Sequence, residues 1–444
     1  MPSPLMHSKV IIPEHLPGEP KRGRAPAPLF AIMLLVFGLT VMFTWLLTAV
    51  LWPLYLLFSA IWGWPANVPP RWQVRRYLVL CWTVRPTPSL PLLNRFWLTL
   101  SILRNCAFIP VRGLAWLIDE ALYGRLFNKN PLVEPLIEIS AGRSGSTQLA
   151  YYLQEDPHLA APNPLQMRFP YLWLWRLASR TLGRLVSSDR LREKAEANLL
   201  PEFVQRHEID PTKTDTFEGC FYATHMNAFA PFLGPRVIED DLGMARPSLR
   251  NLELWEQDFV AMLDRIGRKT LLFAGPGPEG NPRRFFVKGH FLCAGPALER
   301  AFPDARFLTM IRDPGPRIRS VINYMRCFPF DLSIHPMPWL WWAEAMVQTE
   351  TDYCEVEQQW FEQEGGATRC VLRFSDYVRN LEGTMAKVYR ECLDCSELPD
   401  YVPREHVPRN RNDYLVNRTL EQLGIDEEAL NANLSGYIAW CRCE

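Results

Sequence analysis

Residues 131–154 read PLVEPLIEISAGRSGSTQLAYYLQ, and this stretch decides how the chain folds. Its first part, Leu132 to Ile139, is apolar and favours a β-strand, whereas Leu149, Tyr152 and Leu153 recur at the spacing of one helix face. A short loop rich in glycine and serine joins the two parts. The stretch therefore predicts a strand, a tight turn and the start of a helix, an arrangement that binds anions at the helix N-terminus.

The loop itself, Gly142-Arg-Ser-Gly-Ser-Thr147, has the side chains that a phosphate site needs. Gly142 and Gly145 let the backbone approach an anion closely, and Arg143 adds a permanent positive charge. Ser146 and Thr147 add hydroxyl donors. The loop is not a Walker A motif, because no lysine precedes Ser146 or Thr147. An ordinary strand-to-helix turn with a polar cap is the alternative interpretation of the loop taken alone.

The overall composition excludes some classes of protein. The chain has 444 residues, with 48 Lys and Arg against 48 Asp and Glu, so its formal net charge is zero. Nucleic-acid-binding proteins depend on a basic surface, so we expect no nucleic acid partner. The 11 cysteines are scattered, and Cys392 and Cys395 have no second pair of ligands at a zinc-binding spacing. We therefore expect no metal.

The first 130 residues predict attachment to a membrane. Residues 1–27 are polar and rich in proline, which indicates a disordered tail. Residues 28–64 carry no charge and outnumber the roughly 20 residues that cross a bilayer. This segment, which Pro53 divides, is predicted to be transmembrane or re-entrant. Residues 65–130 mix aromatic, apolar and arginine side chains, as in an amphipathic, interfacial connector. The lipid bilayer is thus an expected partner.

Basic residues flank both ends of the apolar segment and bear on its orientation. Lys21, Arg22 and Arg24 precede it, and Arg71 and Arg75 follow it. Because positive charges favour the cytosolic side, this pattern predicts a hairpin with both ends, and the domain that follows, on the cytosolic face. A single span is the alternative, and it would place that domain in a lumen such as that of the Golgi.

Further strands in the second half of the chain end in basic residues. The run 284–290 is a short apolar strand ending in Lys288 and His290, and the run 305–311 is a second strand followed by Arg312. Helical spacing between them predicts a βαβ unit and therefore a parallel sheet. Residues 370–374 are a further predicted strand. Ligands of such sheets bind at the carboxyl ends of the strands, so these basic residues and the glycine-containing loop are expected to meet.

Together, these spaced motifs resemble the sulfotransferase family. The resemblance rests on the loop 142–147, on Lys288-x-His290, and on Arg312 followed eight residues later by Ser320. It implies an α/β, P-loop-like three-layer fold with a central parallel sheet, preceded here by the membrane segment, in a catalytic domain at 131–444. It also implies an enzyme that transfers a sulfuryl group from 3′-phosphoadenylyl sulfate (PAPS) to a hydroxyl-bearing acceptor.

The resemblance also implies a role for each residue of the site. Lys288 and Arg143 would stabilise charge on the sulfuryl group and the leaving phosphate, and His290 would be the general base. Glu218 is the alternative base. No metal is required, because cationic side chains neutralise the charge. The residues expected to hold the 5′-phosphosulfate are Gly142, Arg143, Ser144, Gly145, Ser146 and Thr147, and those expected to hold the 3′-phosphate are Arg312 and Ser320.

Two other functions fit part of the pattern. A P-loop kinase needs a Walker lysine and a strand-end aspartate for magnesium, but Arg312 stands where that aspartate is expected. A membrane-tethered nucleotide-binding protein without catalysis would keep the fold alone, and the joint presence of Lys288, His290 and Ser320 argues against it. The sequence does not identify the acceptor, and a lipid or a glycan hydroxyl suits an enzyme at a membrane.

Overall fold

A computed structural model describes most of the chain and places its elements. Most of the predicted tail, including Lys21, Arg22 and Arg24, lies outside the described residues. The described residues are 5–6, 16–19, 27–85, 90–181, 193, 196–197, 201–207, 210–242, 245–327, 339–406 and 414–442.

A parallel sheet of five strands forms the centre of the molecule. In the order β2-β3-β1-β4-β5, every neighbouring pair is parallel. The α/β fold with a central parallel sheet is therefore confirmed. The two residues of β2 escaped recognition because so short a strand shows no periodicity. The strands are β1 Leu136–Ile139, β2 Leu159–Ala160, β3 Arg284–Gly289, β4 Arg306–Ile311 and β5 Thr368–Arg373.

Helices cover both faces of the sheet, because successive side chains of a strand point to opposite faces. Leu136 packs into one core with the helices Ser146–Gln154, here called α6, and Leu381–Cys392. Ile137 packs into a second core with the helix Val260–Ala274. The remaining helices of this part are Pro164–Arg168, Leu172–Thr181, Pro201–Arg206, Glu218–Thr224, Pro235–Asp241, Leu249–Leu254, Gly295–Ala301, Pro314–Arg326, Trp339–Phe361, Phe374–Arg379, Glu427–Asn433 and Ser435–Arg442.

Among the described residues, five helices precede the sheet. The apolar segment divides at Val50, and Pro53 lies in the first turn of the second helix, where proline is tolerated. Two stretches, Pro28–Ala49 and Leu92–Lys129, are long and apolar enough to cross a membrane by length and composition; most of the first and half of the second is unburied. The five helices are α1 Ala27–Ala49, α2 Leu51–Trp62, α3 Arg71–Thr83, α4 Leu92–Ala107 and α5 Ile109–Lys129.

The fifth helix is anchored in the body of the protein by a buried ion pair. Asp119 of α5 lies 3.0 Å from the Lys269 ammonium, and both side chains are fully buried. Asp119 also accepts a hydrogen bond from the backbone of Leu172, and Lys269 lies 3.5 Å from the centre of the Trp116 ring. Residues before 131 thus contribute to the core of the α/β body, and the domain boundary at 130 stays a prediction.

Parts of the N-terminal tail contact the C-terminal region. Glu19 forms ion pairs with Arg418 at 2.7 Å and with Arg326 at 2.8 Å. The carbonyl oxygen of Leu5 accepts a hydrogen bond from the backbone of Asp426 at 3.0 Å. At Leu5 and Glu19 the chain therefore contacts the body of the protein, and the disordered tail at 1–27 stays a prediction.

Candidate active site

The carboxyl ends of three strands bring the predicted site residues together. β1 leads into the loop 142–147, β3 into His290 and β4 into Arg312. The Nδ1 atom of His290 lies 2.6 Å from the carbonyl oxygen of Ser140. A guanidinium nitrogen of Arg312 donates to the carbonyl oxygen of Arg143 at 2.8 Å. The meeting of these residues at one edge of the sheet was expected from the parallel topology.

The two glycines of the loop have different structural requirements. Gly145 has a φ of +104°, and a Cβ there would lie 2.9 Å from the Phe374 ring and 3.1 Å from the Met310 sulfur. Only glycine fits this position without strain or displacement. A Cβ at Gly142 would find ordinary contacts of 3.7 Å or more. Gly145 is therefore required by the turn itself, whereas Gly142 leaves space beside the loop.

Arg143 occupies the left-handed region, with a φ of +65°. Its Nε donates to the Ser320 hydroxyl at 3.1 Å, and its guanidinium carbon lies 5.4 Å from the centre of the Tyr324 ring. Arg143 thus lies beside the residue expected to bind the 3′-phosphate.

Lys288 carries a buried positive charge to the first turn of α6. Its ammonium donates to the Thr147 hydroxyl at 2.7 Å and lies 3.7 Å from an Asp215 carboxylate oxygen. The second Asp215 oxygen lies 3.0 Å from Nε2 of His207. Burial opposes ionisation of Asp215, but the hydrogen bond with His207 and the charge of Lys288 outweigh it and hold the Asp215 pKa well below its usual range. Asp215 therefore orients Lys288.

His290 is a partly buried, neutral imidazole with a defined tautomer. A carbonyl oxygen only accepts hydrogen bonds, so Nδ1 must carry the proton that it donates to Ser140. Nε2 is left with its lone pair available. Burial, and then the charge of Lys288, lowers the His290 pKa to about 4. His290 can thus accept a proton at Nε2 at any physiological pH.

Glu218 lies directly behind the strand end that carries His290. A Cβ at Gly289 would clash with the Oε2 atom of Glu218, so the Glu218 carboxyl group packs directly against that glycine. Oε2 is buried and has no hydrogen-bond partner among the described residues. Burial raises the Glu218 pKa to about 7, although hydrogen bonds from the backbone, including that of His290, oppose this. Glu218 can therefore also exchange a proton near neutral pH.

One cavity of about 420 Å³ connects these groups. Lys288 is fully buried just behind the cavity wall, and Ser144 is buried beneath the loop with no partner for its hydroxyl among the described residues. Sequence reasoning missed several cavity residues because no motif marks them and they are distant along the chain. The cavity residues that were predicted are Gly142, Arg143, Gly145, Ser146, Thr147, Glu218, His290 and Arg312. Those that were missed include Tyr151, Arg206, His207, Thr216, Tyr222 and Tyr324.

A metal centre has no counterpart in the part of the chain that the structure describes. Within the described residues, no group of three or more His, Cys, Asp or Glu side chains is placed to hold a metal ion. The charged groups that meet in the cavity are instead basic side chains and single carboxylates. This arrangement suits a ligand with several negative charges, because cationic side chains bind phosphate and sulfate groups directly.

Comparison with known proteins identifies the family. A sequence model described as the sulfotransferase family matches residues 135–394. Sulfotransferase STF9 from Mycobacterium avium is similar in structure, with a TM-score of 0.56, 16% identity, and coverage of 87% of this chain and 95% of that one. Sulfotransferase STF1 from Mycobacterium tuberculosis gives a TM-score of 0.50, 16% identity, and coverage of 86% and 98%. No curated protein gave a significant match. The chain therefore belongs to the sulfotransferase family and is an enzyme of sulfuryl transfer.

Proposed function

We propose that this enzyme transfers the sulfuryl group of PAPS to a hydroxyl of a lipid or glycan acceptor at a membrane. The observation that carries the proposal is the convergence of Lys288, His290, Arg143 and Arg312 around one glycine-containing loop. Lys288, Arg143 and Arg312 are cationic and provide the anion sites that the reaction needs. His290 provides the proton acceptor.

The residues present fit the two anionic ends of PAPS. The hydroxyl of buried Ser144, which has no hydrogen-bond partner in the described part of the chain, and the backbone of the turn at Gly145 supply donors for the 5′-phosphosulfate. Gly142, Ser146 and Thr147 complete this cradle. The guanidinium groups of Arg312 and Arg143, with the Ser320 hydroxyl, form a second anion site suited to the 3′-phosphate.

The chemistry follows from this placement of groups. The acceptor oxygen attacks sulfur, and an oxygen–sulfur bond forms as the bond from sulfur to the bridging phosphate oxygen breaks. The electron pair of that bond stays with the leaving adenosine 3′,5′-bisphosphate, near the Lys288 ammonium. Nε2 of His290 takes the proton of the acceptor hydroxyl. Glu218, with its unpartnered Oε2 beside the same strand end, is the second candidate for this proton.

Exposed apolar helices support the membrane part of the proposal. Side chains along α1 are largely exposed, such as Leu35 at 67% and Leu46 at 65%. Such a surface is larger than soluble monomers normally present to water, and a bilayer would cover it. The division at residues 1–27, 28–64, 65–130 and 131–444 is proposed on this basis, with the first three serving attachment and the last catalysis.

The contacts at both ends of the apolar segment support a hairpin on one face of the membrane. Glu19, before α1, pairs with Arg418, and Arg76, after α2, pairs with Asp240 at 2.7 Å. Arg418 and Asp240 both belong to the catalytic body. Both ends of the segment therefore lie on the side of that body, and we place it on the cytosolic face, where basic flanks are favoured. A lumenal domain after a single span is the alternative.

Calorimetric titration with adenosine 3′,5′-bisphosphate, beside adenosine 5′-monophosphate and ATP with magnesium, tests the donor. We expect tight binding of the bisphosphate only, because it alone fills both anion sites. Equal binding of the monophosphate would overturn the 3′-phosphate site. Preference for ATP with magnesium would favour a kinase, and bisphosphate binding without turnover on any acceptor would favour a non-catalytic binding protein.

A further inference from the structure

The cavity lining includes apolar side chains, together called here the apolar half, in addition to the polar groups that surround the loop. These polar groups include those of Arg143, Arg312 and His290, which are accounted for by the donor and the proton transfer. The apolar half has no assigned role. The apolar side chains that line it are Ala228, Pro231, Leu242, Val321, Met325 and Met346.

A two-turn 3₁₀-helix, Asn227–Phe232, forms one wall of the apolar half. Residues three apart share a face in such a helix. Ala228 and Pro231 face the cavity. On the next face, the Phe229 ring contacts Tyr77 of α3 with ring centres 6.4 Å apart, and the Phe232 ring contacts Trp97 of α4 with ring centres 5.2 Å apart. This 3₁₀-helix therefore lies between the cavity and the helices α3 and α4.

The far side of the same two helices is apolar and exposed. Trp82 of α3 and Phe96 of α4 contact each other edge to face at 5.0 Å, and both are more than two-fifths exposed. Leu92 is exposed beside them. A bilayer that covers these side chains would be separated from the apolar half of the cavity by α3 and α4 and by the 3₁₀-helix.

We infer that the apolar half of the cavity binds the hydrocarbon part of a membrane alcohol and presents its hydroxyl group to the proton acceptor. The inference rests on the proposed function and narrows its acceptor to lipids. A glycan in this half would leave hydroxyl groups against methionine, leucine and valine, and a buried hydroxyl group without a hydrogen-bond partner is unfavourable. A hydrocarbon chain has no such cost and gains from each buried methylene.

A series of straight-chain alcohols from ethanol to octan-1-ol, with labelled PAPS and detergent-solubilised full-length enzyme, tests the inference. The value of kcat/KM should rise about fourfold for each added CH₂ group that the cavity buries. Glycerol serves as the polar comparison and should be a poor acceptor. Glycerol used as well as octan-1-ol would overturn the inference.

The variant Ala228→Trp distinguishes binding of the alcohols in the cavity from their simple partitioning into detergent. Ala228 is exposed in the cavity wall, so the larger ring can occupy the apolar half without disturbing the core. The rise with chain length should flatten in this variant, whereas adenosine 3′,5′-bisphosphate should bind as before. Leu249→Trp is the matched control, because Leu249 is 87% exposed and does not line the cavity. An unchanged chain-length series in Ala228→Trp would overturn the inference.

Crosslinking with a diazirine derivative of octan-1-ol gives a readout independent of turnover. We expect labelled peptides from 227–242 and 321–325. Labelling confined to 27–62 would show membrane contact alone and would overturn the lipid subsite. Bisphosphate binding with no alcohol sulfated would also overturn the subsite while leaving the donor site intact. Absence of bisphosphate binding would overturn the proposed function itself.

Discussion

The Nδ1 atom of His290 donates its proton to the carbonyl oxygen of Ser140 across 2.6 Å, so the structure fixes the tautomer of the imidazole. Nε2 is then the atom that can accept a proton, and a Cβ at Gly142 would lie 3.9 Å from it. The basic nitrogen therefore faces the backbone of the glycine-containing loop. This relationship between neighbouring strand ends places the proposed proton acceptor beside the proposed site of the sulfuryl donor.

The first prediction concerns His290→Ala. If Nε2 accepts the proton of the acceptor hydroxyl, turnover should fall by roughly 100-fold or more, the usual scale for loss of a general base. Affinity for adenosine 3′,5′-bisphosphate should stay close to wild type, because the hydrogen bond of the ring is to the Ser140 carbonyl oxygen, outside the loop 142–147. Steady-state kinetics and calorimetry on the same preparation check both parts. Turnover within a few-fold of wild type would remove His290 from the mechanism.

The pH dependence of kcat/KM distinguishes His290 from Glu218 as base. Burial and Lys288 lower the His290 pKa to about 4, so the neutral base is present throughout the physiological range. We expect kcat/KM for PAPS to be flat across neutral pH and to fall only as the pH approaches about 4. Burial raises the Glu218 pKa to about 7, so a Glu218 base would make activity rise with pH through neutrality.

Glu218→Gln is the variant that decides between the two profiles. It keeps the size of the side chain and removes its ionisation. With His290 as base, the variant should retain the flat profile of the wild type. If the kcat/KM of the wild type rises with pH near pH 7 and this rise is absent in Glu218→Gln, Glu218 is the general base.

Arg312→Ala should weaken binding of adenosine 3′,5′-bisphosphate by roughly 10- to 100-fold, as expected for a lost hydrogen bond to a charged group. Binding of adenosine 5′-monophosphate should change much less, because it lacks the 3′-phosphate. Arg300→Ala, which removes an exposed charge outside the cavity, is the control. Equal losses for both nucleotides would contradict the assignment of Arg312.

The sequence predicted those parts of the site that follow from local pattern and sheet topology. Lys288, His290 and Arg312 end strands, and parallel strands place their carboxyl ends at one edge, so their meeting required no knowledge of the tertiary structure. The turn at Gly145 could also be predicted, because a short loop between a strand and a helix has few conformations.

Other parts of the site depend on contacts that no local pattern records. Asp215 orients Lys288 from a segment more than 70 residues earlier in the chain, and its role appears only when that segment pairs with β3. Arg143, whose backbone is left-handed, donates to Ser320, a residue 177 positions later in the chain. Side-chain direction of this kind is a tertiary property.

Labelling of introduced cysteines should show that both ends of the apolar segment lie on one side of the membrane. Gly18→Cys precedes α1, Arg85→Cys follows α3, and Glu279→Cys marks the catalytic body; all three positions are exposed. A membrane-impermeant maleimide should reach all three from the same side of sealed vesicles. The wild type is the background control, because its described cysteines are buried except for the partly exposed Cys395. Labelling of Gly18→Cys from the opposite side would support a single span.

Buried glutamates should make the fold less stable as pH rises through neutrality. Burial raises the pKa of Glu138 and of Glu357 to about 7, against the opposing charges of Lys288 and Arg317. In the unfolded chain these groups titrate near 4.5. Between these values the folded state holds more protons than the unfolded state, so the free energy of unfolding falls as pH rises from about 4.5 to about 7. The Asp215 carboxyl group changes the free energy of unfolding only at lower pH, because its pKa in the folded state is depressed.

Thermal unfolding of Glu357→Gln tests this sign. Glu357 accepts hydrogen bonds from Thr309 and Tyr437, and an amide at this position resembles the protonated acid, so the variant should fold. Its Tm should decline less between pH 5 and pH 8 than that of the wild type, because one of the groups that releases a proton is gone. Glu364→Gln, at an exposed position, should decline as the wild type does. A Tm that rises with pH in the wild type would mean that these carboxyl groups are ionised in the folded state despite their burial.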